Sequence, residues 1–353
     1  MNLRTIREVD VKDKTVLVRA DFNVPIEDGK ITSDLRIKAA VPTLELLREN
    51  GAKRIIVISH LGRPEGRDES LSLEPVAKVL DELVGKVKFA HDVSGPEVEA
   101  AVENTQEGGI LLLENLRFYA GEEENSKDFI REVVESTSAE IYVQDGFAVL
   151  HRAHASTAAV AEFLPMYAGL LVEKEVTNFE KALVNPARPL LLIIGGAKVE
   201  DKAPLIEKFL GIADKIVVGG KIAADGYEAE SDKIYVAEDF DEDESGAKLD
   251  VGPVSTGKIA ELIGDAQTII WNGLMGKAED ITYATASTIV AEMMGEKTGA
   301  ETIVCGGDTA GFVENLSVDH PNLEYSLVST GGGASLEFLL GKELPGLVPL
   351  FIS

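Results

Sequence analysis

Short runs of Val, Ile and Leu without polar alternation recur along the chain. Each is followed by a longer segment whose apolar positions fall three and four apart. The runs predict strands at Thr15–Ala20, Arg54–Ser59, Gly109–Glu114 and Glu140–Gln144, then at Pro189–Ile194, Lys215–Gly219, Thr268–Trp271, Thr302–Cys305 and Tyr325–Ser329. Helical spacing falls between them, as at Leu73–Val84, Asp128–Ser136, Val199–Leu210 and Thr282–Met294. Strands that are apolar at every position are covered on both faces, and their alternation with helices makes the sheets parallel and doubly wound. Tyr167–Leu183 reads as one long helix closed by Asn185, Pro186 and Pro189. The chain therefore divides into two α/β domains, residues 1–166 and 185–335, joined by an interdomain helix at 167–184. The acidic stretch Glu238–Glu244 reads as a solvated loop.

Composition changes this picture in one respect, the sign of the surface. The 353 residues include 34 Lys and Arg against 61 Asp and Glu, a formal net charge of −27. Such a surface repels nucleic-acid backbones and anionic membranes, so neither is an expected partner. Apolar runs such as Leu190–Ile194 are far too short to span a bilayer, and the N-terminus has no apolar core of a secretory signal. A single cysteine, Cys305, leaves no internal disulfide and no Cys-rich zinc site, and a cytoplasmic protein is expected. Any anionic ligand must then be drawn in by a local positive site.

The strand ends show where that site is. In open parallel sheets, ligands bind beyond the carboxyl ends of the strands. The first-half strands lead into Asp21-Phe22-Asn23, His60-Leu61-Gly62-Arg63, Asn115-Leu116-Arg117-Phe118, and Asp145-Gly146-Phe147 followed by His151-Arg152-Ala153-His154. Arg36 opens the helix after the first strand. Four arginines converging on one face make an anion site, since guanidinium forks match phosphate and carboxylate oxygens. His151 and His154, three apart, read as structural or phosphate-facing, because no third metal ligand has fitting spacing.

The second half repeats the logic with glycine. Its strands run into Gly195-Gly196-Ala197-Lys198 with Lys202 beyond, Gly219-Gly220-Lys221, Asn272-Gly273-Leu274-Met275-Gly276 with Glu279 beyond, Gly306-Gly307-Asp308-Thr309, and Thr330-Gly331-Gly332-Gly333. Glycines let backbone amides approach a ligand, and Lys198 and Lys202 sit on the first turn of a helix. This mixture suits a nucleotide polyphosphate, with Asp308 directed at Mg²⁺ or, alternatively, Asp308 or Thr309 acting as a plain helix cap. Gly252–Ile259 fits the start of a phosphate-binding loop but lacks the final hydroxyl, so it reads as a helix start after the acidic loop. No G-x-G-x-x-G follows a strand, which argues against a dinucleotide oxidoreductase. Cys305 reads as a small buried residue.

The segments RADFNVP, SHLGRP, ENLRF, HRAHAST, GGAKVEDK, WNGLMG, GGDTA and STGGGASLEFL resemble, in order, those of the phosphoglycerate kinases. The resemblance implies two domains facing across a cleft. The first binds 3-phosphoglycerate or 1,3-bisphosphoglycerate, the second ATP or ADP with Mg²⁺, and residues 336–353 return to the first. It places Asp21, Asn23, Arg36, His60, Arg63, Arg117 and Arg152 at the triose, and Lys198 and Lys202 at the phosphates. Gly195, Gly219, Asn272, Glu279, Gly306, Gly307, Asp308 and Thr309 fall at the nucleotide or metal, with Arg36, Lys198 and Lys202 as the catalytic cations. The implied activity is reversible phosphoryl transfer by a monomer; a non-catalytic nucleotide- or phosphate-binding relative is the alternative. The chain departs from the pattern between Gly220 and Gly252, where the family carries further elements, so residues 221–251 are expected to leave little material to wall a nucleobase pocket.

Overall fold

The structure is a computed structural model that describes residues 2–27 and 29–352. The chain forms two compact units, one running to Lys174 and including the chain from Glu343 onward, the other Glu175–Lys342.

In the first unit the strands are β1 (Thr15–Arg19), the hairpin pair β2 (Ile26–Glu27) and β3 (Lys30–Ile31), β4 (Arg54–Ile58), β5 (Val87–Phe89), β6 (Gly109–Leu112), β7 (Ile141–Gln144) and β8 (Met166–Ala168). Six of them make one parallel sheet in the order β5-β6-β4-β1-β7-β8. β1 is buried at all five positions, with Val16 opposite Ile55 on one side and Ile141 on the other. A strand covered on both faces cannot alternate, and this is the pattern read from TVLVR.

Two sheet strands of this unit escape a search for apolar runs. β5 is a three-residue edge strand, VKF, with its lysine exposed. β8 occupies residues read as the start of the long helix, which begins only at Leu170 and ends at Val184. Ala168 N donates to Arg4 O and Gly169 N to Gln144 O, which holds the chain to its neighbours there, and the Asp145 side chain leaves no room for a side chain at Gly169. At the other end of the chain, Leu3 bridges Phe351, Leu350 accepts from Arg4 N at 2.7 Å, and Leu150 accepts from Gly346 N. The helix Gly333–Leu339 remains with the second unit, Phe338 packing 5.7 Å from Phe179, so the return begins at Glu343 rather than at Leu336.

The second unit is built from β9 (Leu190–Ile194), β10 (Lys215–Val218), β11 (Ile234–Val236), the antiparallel pair β12 (Phe240–Glu242) and β13 (Lys248–Val251), β14 (Thr268–Asn272), β15 (Glu301–Cys305) and β16 (Leu327–Val328). Its parallel sheet runs β11-β10-β9-β14-β15-β16. Three expectations are corrected here. The acidic stretch is not all loop: its middle, Phe240–Glu242, is a strand, Phe240 pairing with Val251 and Asp241 with Asp250. Gly252 therefore follows a strand, and it opens the helix Pro253–Asp265. The helix expected at Thr282–Met294 is a short turn, Ile281–Tyr283, followed by Thr285–Gly295.

Candidate active site

In the first unit the carboxyl ends of β1, β4, β6 and β7 bring together most of the expected cations. Arg36 stands at the second position of the helix Leu35–Glu49 and is ion-paired with the buried Asp21. Asp21 also turns the chain locally by accepting from Asn23 N at 3.2 Å, and Asn23 Oδ1 accepts from Gly62 N at 2.9 Å. Arg117 is buried, donates to Gly62 O at 2.7 Å and lies 3.1 Å from Glu123. Arg152 donates to His151 Nε2 at 3.2 Å.

The mutual influence of these groups gives their arrangement away. His60 is held well below the ordinary imidazole value, first by burial and then by the positive charges of Arg19, Arg117, Arg36 and Arg152. Arg117 is pushed down to about 10 by burial, with Arg152 and Arg19 repelling it and Glu123 opposing them. Crowded cations on one face of an acidic chain have an anion as their natural counter-charge. Arg63 is exposed, with no hydrogen bond or ion pair among the described residues, and so stands outside the fixed part of the cluster.

One cation of this cluster was not singled out from the sequence. Arg19 ends β1, fully buried, with Nη2 3.0 Å from His60 Nδ1 and Nε donating to Ser156 Oγ at 2.9 Å. Ser156 in turn gives Glu122 two hydrogen bonds, from Oγ at 2.6 Å and from N at 3.0 Å. Glu122 lies within an acidic run where nothing distinguishes the buried carboxylate from its exposed neighbours. The only available signal was a charge closing an otherwise apolar strand. His154 lies 3.9 Å from Glu122 and is lowered to about 4 by burial and by Arg117. Among the described residues no group of three His, Cys, Asp or Glu side chains is placed to hold a metal ion.

In the second unit the glycine-rich turns surround an open pocket of about 550 Å³. Lys198, Lys202, Asn272, Glu279, Gly306, Gly307, Asp308 and Thr309 all line it. Gly195 and Gly219 stand behind its wall, while their neighbours Gly196 and Gly220 face it. The reason is backbone crowding: a side chain at Gly195 would strike the carbonyls of Gly273 and Leu274, and one at Gly219 would meet Met275 Sδ at 2.8 Å. Gly273 adopts φ +101°, a conformation open to glycine, which lets the two turns touch.

The cations and carboxylate of this pocket are set differently from those of the first unit. Lys202 Nζ donates to Asn272 Oδ1, and burial pulls its ammonium below the usual lysine value. Lys198 is exposed at the cap position of the helix Val199–Leu210, one residue before the first turn. Asp308 is exposed in the first turn of Gly307–Asp319, and Gly306, not Asp308 or Thr309, occupies the cap. Thr309 Oγ1 instead accepts from Gly273 N at 2.9 Å and pins that turn. Cys305 is buried, its thiol raised to about 11 by burial, and Asn272 Nδ2 donates to its sulfur at 3.3 Å. The β12–β13 hairpin also reaches the pocket. Phe240, Lys248, Leu249 and Asp250 line it, with Lys248 Nζ 4.6 Å from the Phe240 ring centre. The expectation that residues 221–251 contribute little wall is thereby corrected.

Two parallel α/β units, one bearing a guanidinium cluster and the other a glycine–lysine pocket with an exposed carboxylate, define a small-molecule phosphotransferase. Comparison with known proteins makes that class specific. The profile described as "Phosphoglycerate kinase" matches residues 6–244 and 224–342, two stretches that overlap on the short segment. A phosphoglycerate kinase of Dictyoglomus turgidum is 41% identical over 393 aligned positions, covering 98% of this chain and 97% of the relative. The phosphoglycerate kinase structure from Pyrococcus horikoshii matches with TM-score 0.87 and 28% identity, covering 99% of this chain and 98% of that one. That from Coxiella burnetii matches with TM-score 0.80 and 33% identity over the same shares. The chain belongs to the phosphoglycerate kinase family. Its activity is that family's, reversible transfer of a phosphoryl group between 1,3-bisphosphoglycerate and ADP to give 3-phosphoglycerate and ATP.

Proposed function

We propose that the guanidinium cluster holds the phosphoglycerate and the glycine–lysine pocket holds the nucleotide. The observation that carries this division is the set of four guanidiniums around His60 in a chain of net charge −27. Arg117 and Arg152, with Arg63 closing from the exposed side, fix the phosphate that is not transferred; Asp21 and Asn23 receive the hydroxyl and carboxyl end. In the transfer, a β-phosphate oxygen of ADP attacks the acyl phosphorus, the bond to the carboxyl oxygen breaks, and the carboxylate leaves with the electron pair. Little covalent work is required of the protein; alignment and neutralisation of charge on the three equatorial oxygens lower the barrier. Arg36, Lys198 and Lys202 supply that charge, with the amides of Gly306 and Gly307 beside the nucleotide phosphates and the β12–β13 wall facing the nucleoside end.

The residues fit Mg²⁺ in one way. Asp308 offers an exposed carboxylate beside Lys202, and Mg²⁺ in phosphoryl-transfer sites uses one or two carboxylates plus phosphate oxygens rather than an all-protein cage. Asp308 would hold the ion, which with the nucleotide bound would supply positive charge to offset that of the phosphates. Glu279, exposed on the pocket rim, completes the acidic side. A cytoplasmic monomer with no nucleic-acid or membrane partner completes the reading. It is supported by the self-repelling charge, by the single buried cysteine, and by the finding that no helix among the described residues is long and apolar enough to cross a membrane. Steady-state kinetics with 1,3-bisphosphoglycerate test the division. Arg36→Ala should lower kcat, whereas Arg117→Ala should raise the triose KM; equal effects on both parameters in both variants would remove it.

A further inference from the structure

Among the buried charges of the molecule, Arg19 stands out because no ligand-facing role has been given to it. It is 1% exposed, yet it carries a permanent charge and spends its donors on three separate chain segments. Nη1 donates to Ala20 O and lies 3.4 Å from Ser59 Oγ, Nε donates to Ser156 Oγ, and Nη2 meets His60 Nδ1 at 3.0 Å. Guanidinium nitrogens only donate and do not lose their protons in proteins. The Nδ1 atom facing Nη2 must therefore accept, and the ring's one proton must sit on Nε2.

We propose that Arg19 is a positioning residue for the triose site, holding His60 as the tautomer with its proton on Nε2 so that the ring presents a fixed donor to the bound anion. The contact comes from the buried side of His60, through a residue whose other donors tie the ends of β1 and β4 to the Ser156–Glu122 pair. The charged groups around the ring all bear on this state. Asp21 Oδ1, 3.9 Å from Nδ1, attracts a second proton; Arg19, Arg117, Arg36 and Arg152 oppose it, together with burial. The repulsion wins because four cations and desolvation act against one carboxylate already paired with Arg36. His60 then keeps one protonation state and one tautomer across the neutral range, and the site's donor pattern does not vary with pH. Without Arg19, Nδ1 is released to carry the proton or to gain a second one beside Asp21.

The tautomer is read in the ligand-free protein by ¹⁵N NMR of histidine-labelled chain. The expected result is an Nε2-protonated His60 signal that does not titrate between pH 5.5 and 8. An Nδ1-protonated or doubly protonated ring in the unmodified protein overturns the proposal outright. The kinetic arm, which alone rests on the phosphoglycerate reading, uses Arg19→Met combined with Glu122→Gln, so that no buried carboxylate loses its partner, and Arg19→Lys as the conservative variant. In the double variant His60 should titrate, and the triose KM should change by about tenfold between pH 6 and 8 while kcat moves less than about threefold. Arg19→Lys, which keeps charge and a donor, should restore most of the flat profile. If the double variant does not fold, the wild-type spectrum and Arg19→Lys decide. A His60 spectrum and pH profile unchanged in a folded double variant contradict the proposal. A shifted spectrum with an unchanged triose KM removes only the link to phosphoglycerate.

Discussion

The first unit builds its site from buried, mutually repelling charges fastened to the fold, whereas the second builds its pocket from backbone and mostly exposed side chains. Arg117 and His60 are buried and tied to main-chain or side-chain partners. Lys198, Glu279 and Asp308 are exposed, and the fixed parts of the second site are the turns at Gly195–Gly196 and Gly273–Gly276. Packing like charges together costs folding stability, which a small rigid anion recovers on binding through several charge-assisted hydrogen bonds. A flexible polyphosphate is better met by amides at close range and by lysines that adjust. The difference teaches that, if both sites neutralise phosphate as proposed, the first carries more of its cost when empty.

The sharpest break in this comparison comes from single charges. Asp308→Asn is isosteric and leaves the Gly306 cap in place, so the fold should persist while turnover falls by a factor on the order of 10² or more. Arg36→Ala should lower kcat by a similar factor. Near-normal turnover in folded Asp308→Asn would reduce that residue to a surface carboxylate. The cost of the buried cluster appears next, in acid. His154 is depressed in the folded state, to about 4, so the neutral ring's contribution is complete above the unfolded value near 6.5 and is lost as pH falls from there towards 4. At the ordinary conversion this is a ceiling of roughly 3 kcal/mol. Urea unfolding at pH 7 and pH 4.5 should show His154→Gln losing less stability than the unmodified protein, and equal losses would remove the histidine from the account.

Smaller effects sharpen the division further. Arg117→Ala should raise the triose KM by more than about tenfold with kcat within about threefold, on the proposal that it holds the phosphate that stays put. The smallest effect concerns the base. Phosphate and Mg²⁺ contacts are common to all nucleotides, and the β12–β13 wall adds an aromatic ring covered by Lys248 rather than a matched set of donors and acceptors. ADP and GDP should then differ in kcat/KM by less than about tenfold, whereas a preference beyond a hundredfold would mean that the hairpin closes a selective pocket.

How far the sequence led follows from the kind of signal each element carries. Fully buried strands such as β6, β9 and β14 read as apolar runs, and their carboxyl ends led to Arg117, Lys202 and Asn272. β5 and β8 were missed because edge strands of three residues are too short to stand out as apolar runs. The hairpin was missed because six acids around Phe240 look like solvent-facing sequence, although the pairing of Phe240–Glu242 with Lys248–Val251 is a backbone property. Arg19 and Glu122 were missed because burial of a charge is decided by partners distant in the chain, here Ser156 and His60. Gly195 and Gly219 stand one residue before Gly196 and Gly220, which line the pocket, since the residue that avoids a clash and the residue that faces the pocket are neighbours.

The central claim is that the two sites are separate: one binds the triose phosphate, the other the nucleotide. Titration calorimetry of 3-phosphoglycerate and of ADP with Mg²⁺ into the unmodified chain, Arg117→Ala and Asp308→Asn tests it most directly. The account predicts a crossed result, with Arg117→Ala losing at least about tenfold in affinity for 3-phosphoglycerate while binding ADP normally, and Asp308→Asn doing the reverse. Loss of both ligands in either folded variant, or of neither in both, would contradict it.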